Sequence, residues 1–387
     1  MLNSHNEWSP LKEVIVGSSF NYNTPEIELS FQLFYTEEAT KNNFYVHPHF
    51  SRGDEKDAEK KQILQKNLQI ARDSSRKYLA ELAEDIEEFA NTLAKAGIKV
   101  HRPLPLQKVE RYKTPYWEAI GIPALNIRDQ AIIIGNEIIE TAPILRARYF
   151  ENDLLKPIFY EYFRNNARWS CMPRPMMTDK SFDLSDVEEG FVSRPWEDVE
   201  AQKSSPFDIG YEIMIDAAQC IRLGRDILVN VSTQNHELGY QWLERHLSPQ
   251  YRLHRIFRMT DGHIDSMFLP LRPGTLLARN PDVVKMLPLP LQKWDVIYPP
   301  EPKDNIFPEY EMGDLLLTSK YIDLNVLSLD ENTVVVNSLF PELIQTLEKQ
   351  GFTVVPVRHR HRRIFGGGFH CFSLDTVRES TLEDYFG

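Results

Sequence analysis

The chain lacks any apolar run near the roughly 20 residues that cross a bilayer. Its first residues, MLNSHNEWSP, lack the basic and apolar regions of a secretory leader. Cysteine is scarce. Cys171, Cys220 and Cys371 are three in 387 residues, an odd number with no C-x-x-C spacing, which points to a reducing, cytoplasmic setting. Positive charge is in deficit, 44 Lys and Arg against 56 Asp and Glu for a net charge of -12. A nucleic-acid partner needs a basic surface and is not expected. Phosphate-binding signatures are absent too. The glycines at 366–368 are followed by no Lys-Ser/Thr and lead into a strand, so both the P-loop and the G-x-G-x-x-G pattern fail. His47/His49 and His359/His361 form two H-x-H pairs without further ligand spacing, so no metal is expected.

What remains is an ordinary globular composition, 42% hydrophobic and 26% charged, with a repeating order. Five short apolar runs end in a small or polar residue: EVIVG (13–17), AIIIG (131–135), DILVN (226–230), TLLAR (275–279) and TVVVN (333–337). Their β-branched content reads as strand. A helical pattern follows each, clearest in YLAELAEDIEEFANTLAKAG (78–97), where apolar residues recur every three or four positions and Gly97 closes the run. The others fall near 149–165, 236–247, 282–292 and 341–350, the fourth weakened by Pro288 and Pro290. Second strands follow at 98–102, 167–173, 251–257, 294–299 and 352–357. Such recurrence predicts one supersecondary unit, stacked or set in a ring. The expected whole is a single α/β unit over 1–387, with insertions at 20–75 and 178–208.

A further strand is expected ahead of each later repeat, at 124–129, 212–220, 263–271 and 323–330, with a last one at 368–375 free to pair with 13–17 and close a ring. Several of these carry an ionisable or nucleophilic residue in apolar surroundings: Asp129, Asp216, His263 with Asp265, and Cys371. Such groups are seldom buried without a partner or a task. Each has a bland alternative: an inert buried thiol for Cys371, exposed polar residues for His263 and Asp265, and turn residues for the two other aspartates. Taken together they form a nucleophile, an acid-base pair and carboxylates suited to a planar cation such as guanidinium. On a strand, His263 and Asp265 would share one face.

The residues that carry this set lie in longer distinctive stretches: RDQAIIIGNEIIETAPILRARYFE (128–151), DAAQCIRLGRDI (216–227), NHELGYQWLERHL (235–247), HIDSMFLPLRPG (263–274) and GGGFHC (366–371). Through them the chain resembles the amidinotransferases, of the arginine:glycine and inosamine-phosphate kind, over nearly its whole length. The resemblance implies a five-bladed α/β-propeller of the pentein type, with pseudo-five-fold symmetry of β-β-α-β modules. It implies Cys371 as nucleophile, His263 as general acid-base and Asp216 as its carboxylate partner. Asp129, Asp265, Ser319 and Arg128 would bind substrate. Arginine would be the donor, an amine the acceptor and ornithine the released product, in a homodimer with no cofactor.

One departure and one unusual stretch stand out. The family arginine expected after NPD is Val283 here, leaving Arg279 or Lys285 to meet a donor carboxylate. The run RHRHRR (358–363) is unusually basic for an acidic protein. It is expected either to be a solvated loop or to attract an anionic acceptor, in which case neutralising Arg360, Arg362 and Arg363 raises the acceptor KM. Two other functions stay open on these residues: a guanidine hydrolase giving citrulline, and a silent guanidine-binding protein.

Overall fold

The computed structural model describes residues 1–23, 28–34, 58–185, 209–308 and 316–386. Among these, five three-stranded sheets share one order. In each, the middle strand runs antiparallel to the first strand and parallel to the third. A helix makes the crossover between the parallel pair, as parallel neighbours require. The second sheet takes Ala131–Ile134, Glu137–Glu140 and Arg168–Cys171, with helix Lys156–Arg164. The third takes Cys220–Leu223, Asp226–Val231 and Arg252–Phe257, with helix Gln234–Leu247. The fourth takes Phe268–Arg272, Thr275–Ala278 and Asp295–Ile297, with the short helix Pro281–Met286. The fifth takes Leu327–Ser328, Thr333–Asn337 and Thr353–Val357, with helix Pro341–Lys349.

The first sheet draws on both ends of the described chain. Leu11–Val16 lies between Ser373–Arg378 and Lys99–His101, and Val16 pairs with Ser373. The expected pairing of 368–375 with 13–17 is therefore present. Helix Ala58–Lys95 precedes Lys99–His101. It reaches far into the stretch read as an insertion; residues 24–27, 35–57 and 186–208, with His47 and His49, lie outside the described residues.

Local chemistry explains several boundaries. Asn280 accepts hydrogen bonds from the backbone N–H groups of Asp282 and Val283, and Thr233 accepts one from His236, so each caps its helix. In the second sheet the sequence reading set AIIIG in the middle; the middle strand is Glu137–Glu140, reached through a hairpin in which Gly135 takes φ +58°. The residues ahead of the strands also differ from expectation. Asp129 ends the 3₁₀ turn Ile127–Asp129, Asp216 precedes Ala217–Gln219, and His263 precedes Ile264–Ser266, which contains Asp265. None is in a strand, so the shared-face argument for His263 and Asp265 does not hold. The turns free their side chains from the pleat and let them point inward. These turns neighbour one another in sequence order, followed by Ile322–Leu324. The circuit returns through the segment around Cys371, whose carbonyl accepts from Arg128 N.

Behind that segment lies a buried ionic cluster. Arg222 donates to Glu7 through Nε (2.8 Å) and one terminal nitrogen (2.7 Å), and to Asp375 at 2.8 Å. Arg128 (2.7 Å) and Arg378 (2.5 Å) also hold Asp375. Burial opposes the charge on Glu7 and Asp375, yet the guanidinium groups outweigh it and push both carboxyls below their ordinary range.

The basic run 358–363 proves to be paired rather than free. Arg360 meets Asp85 and Glu84 (2.7 Å) on the long helix, Arg358 reaches Asp85 at 3.2 Å, and His361 sits 2.5 Å from Glu81. Arg362 is buried against Asp323 at 2.8 Å, and Arg363 donates to the Thr318 carbonyl. Glu81, Glu84 and Asp85 of the helix, together with Asp323, supply the counter-charges, so the expectation of an anion-attracting loop is corrected. Arg360→Gln should cost about 1–2 kcal/mol of stability, read as a lower urea midpoint. Arg222→Leu removes the closest cation from Glu7, leaving Arg128 at 3.5 Å as its one arginine partner, and should cost about 3–5 kcal/mol. Because both carboxyl pKa values are lowered, the cluster's contribution is complete above the usual carboxylate range and is lost as pH falls below about 4.

Candidate active site

Cys371 is buried in a loop that two asparagines hold. Asn325 Oδ1 accepts from the backbone N of Gly368 (3.2 Å) and of Cys371 (2.8 Å). Asn126 donates to the carbonyls of Phe365 and Gly366. The glycines serve this contact. A Cβ on Gly367 would come within 2.3 Å of Asn126 Oδ1, and one on Gly368 within 2.7 Å of the Asn325 backbone oxygen. Gly366 takes φ +71° and alone of the three lines the cavity, so the room the glycines provide goes mainly to these side chains. His359 lies beneath, its Nε2 donating to Gly367 O at 3.1 Å; burial, with Arg362 nearby, lowers its pKa to about 3.

The cavity holds about 420 Å³ and its wall includes Cys371, His263, Asp129, Asp265, Ser319 and Arg279. His263 Nε2 lies 2.9 Å from Asp216 Oδ2 and Nδ1 lies 3.5 Å from Asp129 Oδ1. Burial works against the imidazolium, but these carboxylates outweigh it and raise the pKa to about 9. Asp216 is not part of this cavity's wall; it is buried behind the ring and also accepts weakly from Gln130 and Ile144 N. Asp129 is oriented by Arg148 at 2.5 Å, itself paired with Glu151 at 2.6 Å. Asp265 accepts from His370 at 2.7 Å and lies 3.4 Å from Cys371 Sγ. Burial disfavours its charge, but the His370 contact prevails and lowers its pKa.

Two oxygens in this wall stand apart. Asp129 Oδ1 and Asp265 Oδ1 are buried and lack a close hydrogen bond, although His263 Nδ1 stands 3.5 Å from Asp129 Oδ1. Buried carboxylate oxygens left unpaired are costly, so a donor-rich ligand that fills both is favoured. The thiol reports the same charge imbalance. Burial, and then the carboxylates of Asp265 and Asp129, hold Cys371 well above the ordinary thiol range.

The structure thus gathers Cys371, His263, Asp216, Asp129, Asp265 and Ser319, but not Arg128. The Arg128 guanidinium turns away from the cavity into the ionic cluster and donates to His370 O at 2.8 Å, so it braces the cysteine loop from behind. Val283 is buried in an apolar cluster, and Lys285 is exposed and paired with Asp282 at 2.7 Å. Arg279 is the one of the two alternatives that reaches the cavity. Sequence reasoning passed over Arg148, Glu151, His370, Asn325 and Phe34, whose ring centroid lies 5.0 Å from that of His263. The signal for His370 was its adjacency to Cys371; for Arg148 it was an arginine in a run that is otherwise buried.

No protein-family model matches the chain. Over 99% of its length it is 34% identical to the mitochondrial glycine amidinotransferase of Gallus gallus, 84% of which is covered. Over 78% of its length it is 36% identical to the L-arginine:L-lysine amidinotransferase of Pseudomonas savastanoi pv. phaseolicola, 80% of which is covered. Among solved structures, inosamine-phosphate amidinotransferase of Streptomyces griseus is similar with a TM-score of 0.78 at 31% identity, spanning 100% of this chain and 99% of that one.

The raised pKa of His263 has a sign that can be checked. It lies above the ordinary 6.5, so the imidazolium's contribution to stability is complete below about pH 6.5 and is lost as pH rises through about 9. An NMR titration of His263 should show a midpoint near 9, and Asp216→Asn should lower it by about one unit or more. A wild-type midpoint near 6.5 would refute the electrostatic reading of the site.

Proposed function

The chain belongs to the amidinotransferases, and from that premise we propose that it moves the amidino group of arginine to a primary amine through a covalent intermediate on Cys371. The observation that carries this reading is the pair of unfilled carboxylate oxygens, Asp129 Oδ1 and Asp265 Oδ1, beside the thiol. A guanidinium is planar, cationic and rich in N–H donors, and so suits both oxygens at once.

Binding that cation offsets the negative charge that keeps the thiol protonated. The thiol proton then leaves, with Asp265 Oδ2 at 3.4 Å its nearest recorded acceptor. Sulfur bonds to the central guanidino carbon and the carbon–nitrogen bond to the side chain breaks. His263, charged at neutral pH, delivers a proton to the departing amine. One proton leaves sulfur and one reaches nitrogen, so the half-reaction balances, with ornithine as its free product. In the second half an acceptor amine attacks the same carbon and His263, now neutral, takes its proton. The carbon–sulfur bond breaks, and the proton that left sulfur in the first half returns to it and restores the thiol. Asp216 holds the ring and stabilises its charged form at 2.9 Å.

The same reading sets the five sheets around one axis as the blades of a propeller over a single 1–387 unit, supported by the circuit of turns that returns at Cys371. It includes a cytoplasmic homodimer, supported by three free cysteines and by the resemblance. Among the described residues no helix is long and apolar enough to cross a membrane.

Arginine supplied alone should release ornithine once per protein molecule and leave Cys371 heavier by one amidino group in peptide mass spectrometry. Cys371→Ala should do neither. Continuous citrulline formation would instead establish a hydrolase.

A further inference from the structure

The wall of the cavity carries both signs of charge, with Asp129 and Asp265 among its residues and Arg279 and Ser319 as well. Arg279 follows the strand Thr275–Ala278, and its backbone N donates to Met267 O at 2.8 Å, which fixes where the side chain starts. Its guanidinium carbon lies 4.4 Å from the centre of the Tyr321 ring, a stacked contact that orients the head without neutralising it. One terminal nitrogen is 3.8 Å from Met267 Sδ, at best a weak acceptor. Among the described residues Arg279 makes no ion pair. The nearby Glu301 is engaged by Lys320 and by the Tyr321 hydroxyl at 2.6 Å. Arg258, also in the wall, lies 3.4 Å from Asp261. Ser319 Oγ accepts from Tyr321 N at 3.3 Å, which leaves its proton for a ligand.

We propose that Arg279, helped by Ser319, is the carboxylate-recognising group of this cavity, and that it selects the acceptor amine as well as the donor. The inference rests on the amidino-transfer reading above. In that reaction the leaving and arriving nitrogen atoms bond to the same carbon and use the same His263. The two amines therefore occupy the same space in turn and meet the same cation. An acceptor that is an amino acid satisfies Arg279; a bare alkylamine leaves it unpaired in a partly desolvated wall. Arg279 is a specificity-determining residue, and its loss should fall on binding rather than on the chemical step.

The test compares substrates that differ only in the carboxylate. The donors are arginine and agmatine, which is arginine without its carboxylate; the acceptors are lysine and its decarboxylated diamine. Wild type should prefer each carboxylated partner. In Arg279→Gln the preference, as a ratio of kcat/KM values, should fall by about 30-fold or more, mainly through KM. Arg279→Lys should restore part of it, since a point charge replaces a fork. If the ratios in Arg279→Gln stay within about threefold of wild type, the proposal is wrong, because a fold-wide defect would lower both members of each pair alike. Labelling of Cys371 by arginine in the wild type separates the two levels. No labelling there overturns the amidino-transfer reading itself, whereas normal labelling with unchanged ratios overturns only the role of Arg279.

Discussion

The buried contact among Arg222, Glu7 and Asp375 is the constraint on which the rest is hung. Arg222 comes from the third sheet, Asp375 from the last strand and Glu7 from the first residues of the chain. Asp375 has a local partner in Arg378, but three positions distant in sequence must meet before Arg222 and Glu7 are satisfied. A buried ion pair is weak evidence for added stability but strong evidence for a required arrangement, since separating its members strands charge in a low-dielectric interior. Arg128 joins this cluster and also braces the carbonyl of His370, so the cluster reaches the residue next to the thiol. His370 in turn joins Asp265 to Glu7. The cavity wall and the core are thus one hydrogen-bonded body.

Within the cavity the governing quantity is charge balance. Asp129, Asp216 and Asp265 surround one imidazole and one thiol. The site as it stands favours a protonated ring and a protonated sulfur. A resting thiol held above its ordinary pKa is a poor nucleophile and a poor target for adventitious alkylation or oxidation. Under the proposed mechanism, reactivity would depend on the arrival of a cation, which would tie activation of the sulfur to the presence of the group it attacks.

Much of this was legible in the sequence. TVVVN matched its strand from Thr333 to Asn337, and the repeat of strand, helix and strand followed from β-branched runs and amphipathic spacing. The site set was legible because Asp, His and Cys stood where apolar neighbours forbid idle polarity. Two features were hidden for physical reasons. Turns of three residues carry no periodicity, so Asp129, Asp216 and His263 read as strand residues when they flank or end 3₁₀ turns. Partners far apart in sequence leave no local mark. RHRHRR looked exposed because most of its counter-charges, Asp85 and Glu81 among them, lie more than 270 positions earlier, with only Asp323 nearer. Arg128 was expected to contact substrate through the resemblance alone; its neighbour Asp129 lines the cavity, while Arg128 turns into the ionic cluster.

The clasp between Leu11–Val16 and Ser373–Arg378 has a bearing on how the molecule comes into being. During synthesis the first strand leaves the ribosome long before its antiparallel neighbour exists, and it must wait with that edge unpaired. Cys371 stands just ahead of that closing strand, in which Asp375 pairs with Val14 through the backbone and reaches Arg222 with its side chain. The segment that brings the sulfur to the cavity is therefore the same one that satisfies the buried charges, so placing the thiol and completing the core are a single event rather than two.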